Sequence, residues 1–423
     1  MKILWVTNIA IPTIAKDAGI SISHSGGWIS QMCERICKEH DLTYMFPFPV
    51  RSTKKEGYIH SLHYCSFPFV KTPSDLCERT ISYFVEQIKK ESPDVIQIWG
   101  TEYLHSYAVF QACTRLGMLD KTVIHIQGLV SVYKDYYWCY IDDPEVRKPT
   151  LKDRIRKSGP VYEFKDFCVR SEYEVEILSN AKHVLGRTDW DRYHVTKLNQ
   201  GVNYHFCNET LRETFYSGAW LPDKCYSHGI FVSQGNYPLK GLHLAIEGLR
   251  QLKEKYPDIV LFCTGKKRAN LSLKELLRES SYDRYIRKLI TKHHLEKNIV
   301  FLGVLDSDQM KKQYLHANVF LSPSSIENSS NSIGEAMLLG VPVVSSDVGG
   351  VRNFVEDGIS GFIYPADQIS KMVECIDKVF SSEETAVFIS KNEKEKAKAI
   401  FDADHNYSVL MSVYRNIADK QPD

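Results

Sequence analysis

Several things are missing from this 423-residue chain, and each absence removes a class of protein. No apolar run approaches the ~18 residues of a membrane-spanning helix. The opening MKILWVTNIAIP turns polar too soon for a signal peptide and reads as a first strand. Charge of one sign is missing too: 53 Lys and Arg face 52 Asp and Glu, which leaves no electrostatic footprint for nucleic acid over the whole chain. Internal repeats and low-complexity tracts are absent. The eleven cysteines include no CxxC pair and none sits with histidine at zinc spacing. Free thiols in a reducing cytoplasm are expected, and no metal site.

What is present is a long alternation of strand and helix. Hydrophobic residues make up 43% and charged residues 25%, as in an ordinary globular protein, and the length exceeds what one core usually holds. Strands are expected at 2–9, in LTYMFPF, and at 94–100 and 122–128, with a polar loop over 10–25 and a helix opening at Gly26-Gly27. A second series starts with GIFVSQGN and continues through DIVLFCTG. Such alternation argues for an α/β fold of doubly wound parallel sheets. The expected division is a first domain at 1–205, a connection at 206–227 where periodicity fades, a second domain at 228–400, and an amphipathic terminal helix within 401–423.

The densest chemistry lies in 319–344, VFLSPSSIENSSNSIGEAMLLGVPVV. A buried strand ends at Ser322-Pro323. A Ser- and Asn-rich loop follows, because those side chains compete for backbone hydrogen bonds, and EAMLLG then makes a helix stopped by Gly340. The loop falls at the carboxyl end of a strand, where open α/β sheets bind ligands. Glu327 and Glu335 can border one cleft beside a helix amino terminus, which favours anions. Ser332-x-x-Glu335 equally satisfies a capping box, with Glu335 as a backbone acceptor only.

Other candidates carry their own ordinary alternatives. Gly26-Gly27 suits close backbone approach to a phosphate, or a plain tight turn. His125, near the end of its strand, is a ligand or a satisfied core histidine. Arg187 is a phosphate clamp or the partner of a nearby Asp. Lys240-Gly241 sets a point cation at a helix entry, and Arg268 lies in a basic loop. Tyr133, Tyr136, Tyr137, Trp138 and Tyr140, followed by Arg147, Lys148, Lys152, Arg154, Arg156 and Lys157, suit a membrane surface or a solvated helical face.

Taken in order, Pro323-Ser324, Glu327, Glu335-Ala336-Met337, Gly340-Val341-Pro342-Val343, Asp347, Gly349-Gly350 and EDGISGF resemble the signature of family 4 glycosyltransferases, retaining enzymes of the GT-B fold. The resemblance implies two Rossmann-like domains facing a cleft, with the terminal helix crossing back to the first. It implies a UDP- or GDP-linked sugar donor, no metal or other cofactor, and retention of anomeric configuration. The acceptor would be a glycan or polyprenyl-diphosphate-linked hydroxyl of a surface or capsular polysaccharide, used at the inner face of the cell membrane. Glu335 would take the donor ribose, Glu327 the transferring sugar, Lys240 the diphosphate and His125 the donor sugar. Asn331 and Ser332 would meet sugar hydroxyls, the backbone at Gly303 the base, and Gly26-Gly27 the diphosphate side. One departure stands out: the family's Arg upstream of Lys-Gly is replaced by Gln234 or Gly235. Arg187 or Arg268 would have to substitute, or Lys240 and backbone act alone. That departure also supports an alternative, a non-catalytic partner that binds nucleotide sugar or acceptor for another transferase.

Overall fold

The computed structural model describes residues 1–21, 27–48 and 54–419. Its contacts divide the chain into two units. The first comprises Met1–Ser131, Val169–Arg212 and Phe401–Asp423; the second comprises Val132–Cys168 and Glu213–Ile400. Gly26 lies outside the described residues, and Gly27 is the first residue of the helix Gly27–Glu39.

Among the described residues the first unit holds eight strands: β1 Lys2–Val6, β2 Asp41–Phe48, β3 Glu56–Ile59, β4 Leu62–Pro68, β5 Val95–Trp99, β6 Thr122–His125, β7 His183–Gly186 and β8 Asn203–Phe206. Their order is β3-β4-β2-β1-β5-β6-β7-β8. Neighbours run parallel except β3 and β4, which form an antiparallel hairpin. Every residue of β5 is buried, as a central parallel strand covered on both faces requires. The terminal helix Ala403–Ala418 belongs to this unit, and Leu410, Met411, Tyr414 and Ile417 enter its core with Trp5, Ile29 and Ile36. The 10–25 stretch departs from the expected loop. A helix at Pro12–Asp17 starts on a proline, whose fixed φ suits a first helical position, and buries Ile14 and Ala15. Six residues are too few to show a period.

The second unit holds β9 Gly229–Val232, β10 Val260–Cys263, β11 Ile299–Phe301, β12 Val319–Ser322, β13 Val343–Ser346 and β14 Phe362–Tyr364. The order is β11-β10-β9-β12-β13-β14, parallel throughout. Strand order reverses between β9 and β12, which makes their carboxyl ends the crevice of a doubly wound sheet.

Residues 132–168 group with this second unit rather than with 1–205. Thr150 donates from Oγ1 to the Glu279 carbonyl at 3.0 Å, and Ser281 donates its N–H to Asp153 Oδ2 at 3.0 Å and its hydroxyl to the Val146 carbonyl at 2.7 Å. Asp153 also closes a capping box with Thr150 over the helix Leu151–Arg156. One buried carboxylate therefore fixes a cap and a distant helix start together. These contacts separate the segment by 128 or more positions in sequence, so no local pattern announces them.

Candidate active site

In the second unit the site is built where β9 and β12 end. A pocket there is lined by residues that include Ser233, Gln234, Lys240, Ser324, Glu327 and Ser332. Lys240 closes a short 3-10 turn, Pro238–Lys240, and Gly241 follows at φ 66° as the cap of the helix Leu242–Lys255. Only glycine fits there. Left-handed φ strains other residues, and a Cβ on Gly241 would overlap the Pro323 carbonyl. The Lys-Gly turn therefore packs directly on the loop after β12, and the Ser325 N–H donates to the Leu239 carbonyl at 2.9 Å.

That loop is held from its other side by Gly349-Gly350. The Gly350 N–H donates to the Glu327 carbonyl at 3.0 Å, and a Cβ on Gly349, at φ 55°, would overlap the same carbonyl. Ser346 Oγ donates to the Ser324 carbonyl at 2.6 Å, and the Asn328 N–H donates to Tyr133 Oη at 2.9 Å. Backbone contacts, more than side chains, fix where Glu327 sits.

Lys240 Nζ reaches Glu327 Oε2 at 2.6 Å, with side chains 17% and 11% exposed. Burial pulls the Lys240 ammonium down, yet Glu327 and Tyr237 outweigh it and hold the group above its ordinary value. Lys240 is the one cation among the lining residues, and it is charged and already opposed by a carboxylate. An incoming phosphate would meet a neutralised pair whose lysine can turn toward it.

The helix Asn331–Leu339 begins one residue before Ser332, with Ser330 as its cap and no side-chain cap bond. Ser332 is inside the first turn and meets Ser330 Oγ at 3.0 Å. Glu335 is therefore too far into the helix for the capping-box role, which corrects that alternative. Its carboxylate is 4% exposed and accepts from Tyr314 Oη at 3.4 Å. Asn331 is the first helical residue. Gly303, at φ 74°, pairs with Gly265 through two backbone bonds, and a Cβ on Gly303 would meet nothing within 4 Å. Its backbone borders open space.

Arg268 is not among the lining residues. It is 1% exposed, donates from Nε to Asp283 Oδ1 at 2.9 Å, and lies over the Phe301 ring. Burial raises the Asp283 carboxyl, but Arg268 and Lys266 overcome it and hold that group below its ordinary value. The guanidinium is committed to structure.

The first unit carries a second cluster at the carboxyl end of β6. His125 is 2% exposed and stacks on Trp99 with centroids 4.3 Å apart. Burial, and then Arg187, push its imidazole well below the usual range, so it is neutral. Arg187 donates to Glu209 at 2.5 Å, and Gln127 donates to the other Glu209 oxygen at 2.6 Å. Arg187 thus meets a carboxylate, Glu209, that its own stretch of sequence does not contain. His125 and Glu209 line a small pocket with Trp99, Asn208 and Thr210. Glu209 and Gln97 are the residues that sequence reasoning misses: CNETLRETFY has no periodicity, and Gln97 looks like one more core position of β5. Nearby, burial lifts the Glu102 carboxyl to about 7. No group of three or more His, Cys, Asp or Glu among the described residues is arranged to hold a metal, and no described helix is long and apolar enough to cross a membrane.

Comparison with known proteins bears on the fold and on the second unit. Residues 229–396 match the family model "Glycosyl transferases group 1". A putative glycosyltransferase of Bacillus subtilis, YtcC, is 26% identical over 182 residues, which is 43% of each chain; the match thus spans less than half of that relative. Sucrose-phosphate synthase from Thermosynechococcus elongatus superposes with a TM-score of 0.71 at 15% identity over 99% of both chains. HepE of Anabaena in complex with UDP gives 0.64 at 15% identity, covering 98% of this chain and 100% of that one. The folds are alike: the chain has the two-domain GT-B fold, and residues 229–396 of its second unit are similar to group 1 glycosyl transferases.

Proposed function

We propose that the protein transfers a sugar from a nucleotide-diphosphate donor to an acceptor hydroxyl, with retention of anomeric configuration and without a metal. The observation that carries this is the joining of Lys240, Glu327 and Ser332 on one pocket at the strand-order reversal. In this reading Lys240 turns from Glu327 to the leaving diphosphate, aided by the field of the helix beginning at Asn331. Freed, the Glu327 carboxylate faces positive charge developing at the anomeric carbon. Glu335 accepts from the ribose hydroxyls, and the Gly303 backbone seats the base. HepE, a neighbour in fold, is described in complex with UDP, which supports a uridine donor.

Titration with UDP- and GDP-sugars tests this. Wild type is expected to bind one nucleotide class and release its sugar slowly. Glu335→Gln should weaken nucleotide binding by about 10-fold or more, the worth of a charge-assisted hydrogen bond. Glu327→Gln should leave that affinity within a few-fold and lower turnover about 100-fold, as when transition-state charge loses a partner. A folded protein that binds neither class sinks the proposal. Tight binding without turnover on any acceptor favours the non-catalytic partner.

A separate feature supports an acceptor presented on an anionic lipid surface. Leu151 and Ile155 on one short helix, and Leu273 and Leu277 around another, are 73–82% exposed, and the Thr150–Glu279 bond ties their segments together. Arg154, Arg156, Lys157, Lys274 and Arg278 surround them, all exposed. Exposed aliphatics among cations suit a headgroup boundary. Vesicles containing phosphatidylglycerol should retain the protein at low salt, and neutral phosphatidylcholine vesicles should not. The double variant Leu151→Glu, Leu273→Glu should lose retention and keep nucleotide binding. Equal retention on both vesicles, or on DNA alone, overturns the lipid reading.

A further inference from the structure

Four buried residues of the first unit form one hydrogen-bonded line. Trp5 Nε1 donates to Tyr414 Oη at 2.8 Å, Tyr414 Oη contacts Gln97 Oε1, and Gln97 Nε2 meets His125 Nδ1 at 3.1 Å. Trp5, Gln97 and Tyr414 have no exposed surface. They come from β1, the terminal helix and β5, and are separated by as many as 409 positions in sequence.

The proton positions follow from which groups can only donate. An indole N–H has no acceptor lone pair to offer, so Tyr414 Oη is its acceptor. The Tyr414 hydroxyl proton then has one outlet, the Gln97 carbonyl. Turning the carboxamide over would set its NH₂ against Tyr414 and strand that proton in a dry core, at the desolvation cost of an unsatisfied donor. The Gln97 amide nitrogen therefore faces His125, and an NH₂ can only donate. His125 Nδ1 is thus an acceptor and carries no proton. In a neutral imidazole the proton must then sit on Nε2. That nitrogen is buried without a hydrogen-bond partner. Its nearest carboxylate oxygen, Glu209 Oε1, lies 3.6 Å away, beyond hydrogen-bond range, and already accepts from Gln127.

We propose that Gln97, oriented by Tyr414 and Trp5, is a positioning residue that fixes His125 as the Nε2–H tautomer and so presents a neutral N–H donor to the pocket shared by His125 and Glu209. Trp99 stacking sets the plane of the ring, and Gln97 sets which of its edges donates. A neutral donor of this kind suits a sugar hydroxyl or ring oxygen. The inference rests on the transferase reading proposed above and on the expectation, carried by the sequence resemblance, that His125 meets a sugar.

Protein labelled with ¹⁵N-histidine provides the test, with thermal melts to establish folding. In wild type the His125 resonance should show a protonated Nε2 and a bare Nδ1 across neutral pH. In Gln97→Glu both carboxylate oxygens accept, one from Tyr414 and one from His125, so a proton should appear on Nδ1. Turnover of the donor that wild type uses should then fall at least 10-fold in kcat with KM within 3-fold, a split that a merely structural defect would not give. Should Gln97→Glu fail to fold, Tyr414→Phe frees the carboxamide to rotate, and both tautomers should appear with a smaller loss in kcat. A wild-type spectrum with the proton on Nδ1 overturns the relay. A tautomer that switches while kcat holds removes His125 from the chemistry. A correct wild-type tautomer in a protein that turns over no nucleotide sugar leaves the relay standing and instead overturns the transferase reading.

Discussion

At the scale of single residues, the second unit contains a carboxyl group that its chemistry does not use. Glu393 is fully buried. Its Oε2 accepts the Val343 N–H at 3.2 Å, and Oε1 has no partner. Burial lifts its carboxyl well above the ordinary value, so the folded protein holds it protonated. The sign for stability follows. The folded state favours the acid form, so the contribution is complete below the unfolded value of about 4.3. It is lost as pH climbs from there through the raised folded value. Gln resembles the protonated acid, so Glu393→Gln should melt higher than wild type at pH 8, by about 1.4 kcal/mol for each unit of the shift removed. It should melt nearly equally at pH 4.5. Thermal unfolding of both proteins across that range checks this, and a variant less stable at pH 8 would contradict it. Lys240, by contrast, is held charged by a partner. Lys240→Met leaves the Glu327 charge nearly buried without its partner, a loss on the order of 3–5 kcal/mol, readable as a fall in urea midpoint.

At the scale of elements, the loop after β12 depends on two glycines from different turns. Gly241 and Gly349 each press backbone against it at a left-handed φ. Gly349→Ala must either move Glu327 or distort the turn. It should destabilise by about 1–3 kcal/mol, the cost of a strained backbone position, and lower turnover alongside. Urea unfolding with a turnover assay reads both. Unchanged turnover would mean that Glu327 tolerates displacement. Much of this element was legible in the sequence. Strand, polar loop, helix and Gly stop follow from VFLSPSS and EAMLLG, because a loop rich in Ser and Asn between apolar runs has few other options. The helix start was not legible, since Ser330 and Ser332 are equally good caps by type and packing chose the former. The Lys240–Glu327 pair spans 87 positions and needs the sheet to bring it together. Arg268 was misplaced for a related reason: its partner Asp283 lies 15 positions on, beyond any helical or turn spacing.

At the scale of the whole molecule, neither unit is one stretch of chain. The family match covers 229–396, yet the second unit also owns 132–168. A fragment of residues 213–400 would lack Tyr133, Val146, Thr150 and Asp153, all bonded to residues within it. That fragment should unfold at lower temperature and less cooperatively than the full chain, and residues 132–168 supplied as a separate peptide should raise its melting temperature. Equal melting of fragment and full chain would show the excursion to be ornamental. The Trp5–Tyr414 bond has a consequence for biosynthesis. A ribosome emits Trp5 at the outset and Tyr414 only after every strand of both sheets has left the tunnel. The indole N–H in the nascent first unit therefore waits, without its native acceptor, through nearly the whole of translation. A polymerised chain that stalls at residue 400 has the whole sequence of its second unit and a first unit with an open core, so the quality-control machinery would meet its exposed hydrophobic surface at the beginning of the chain rather than near the stall.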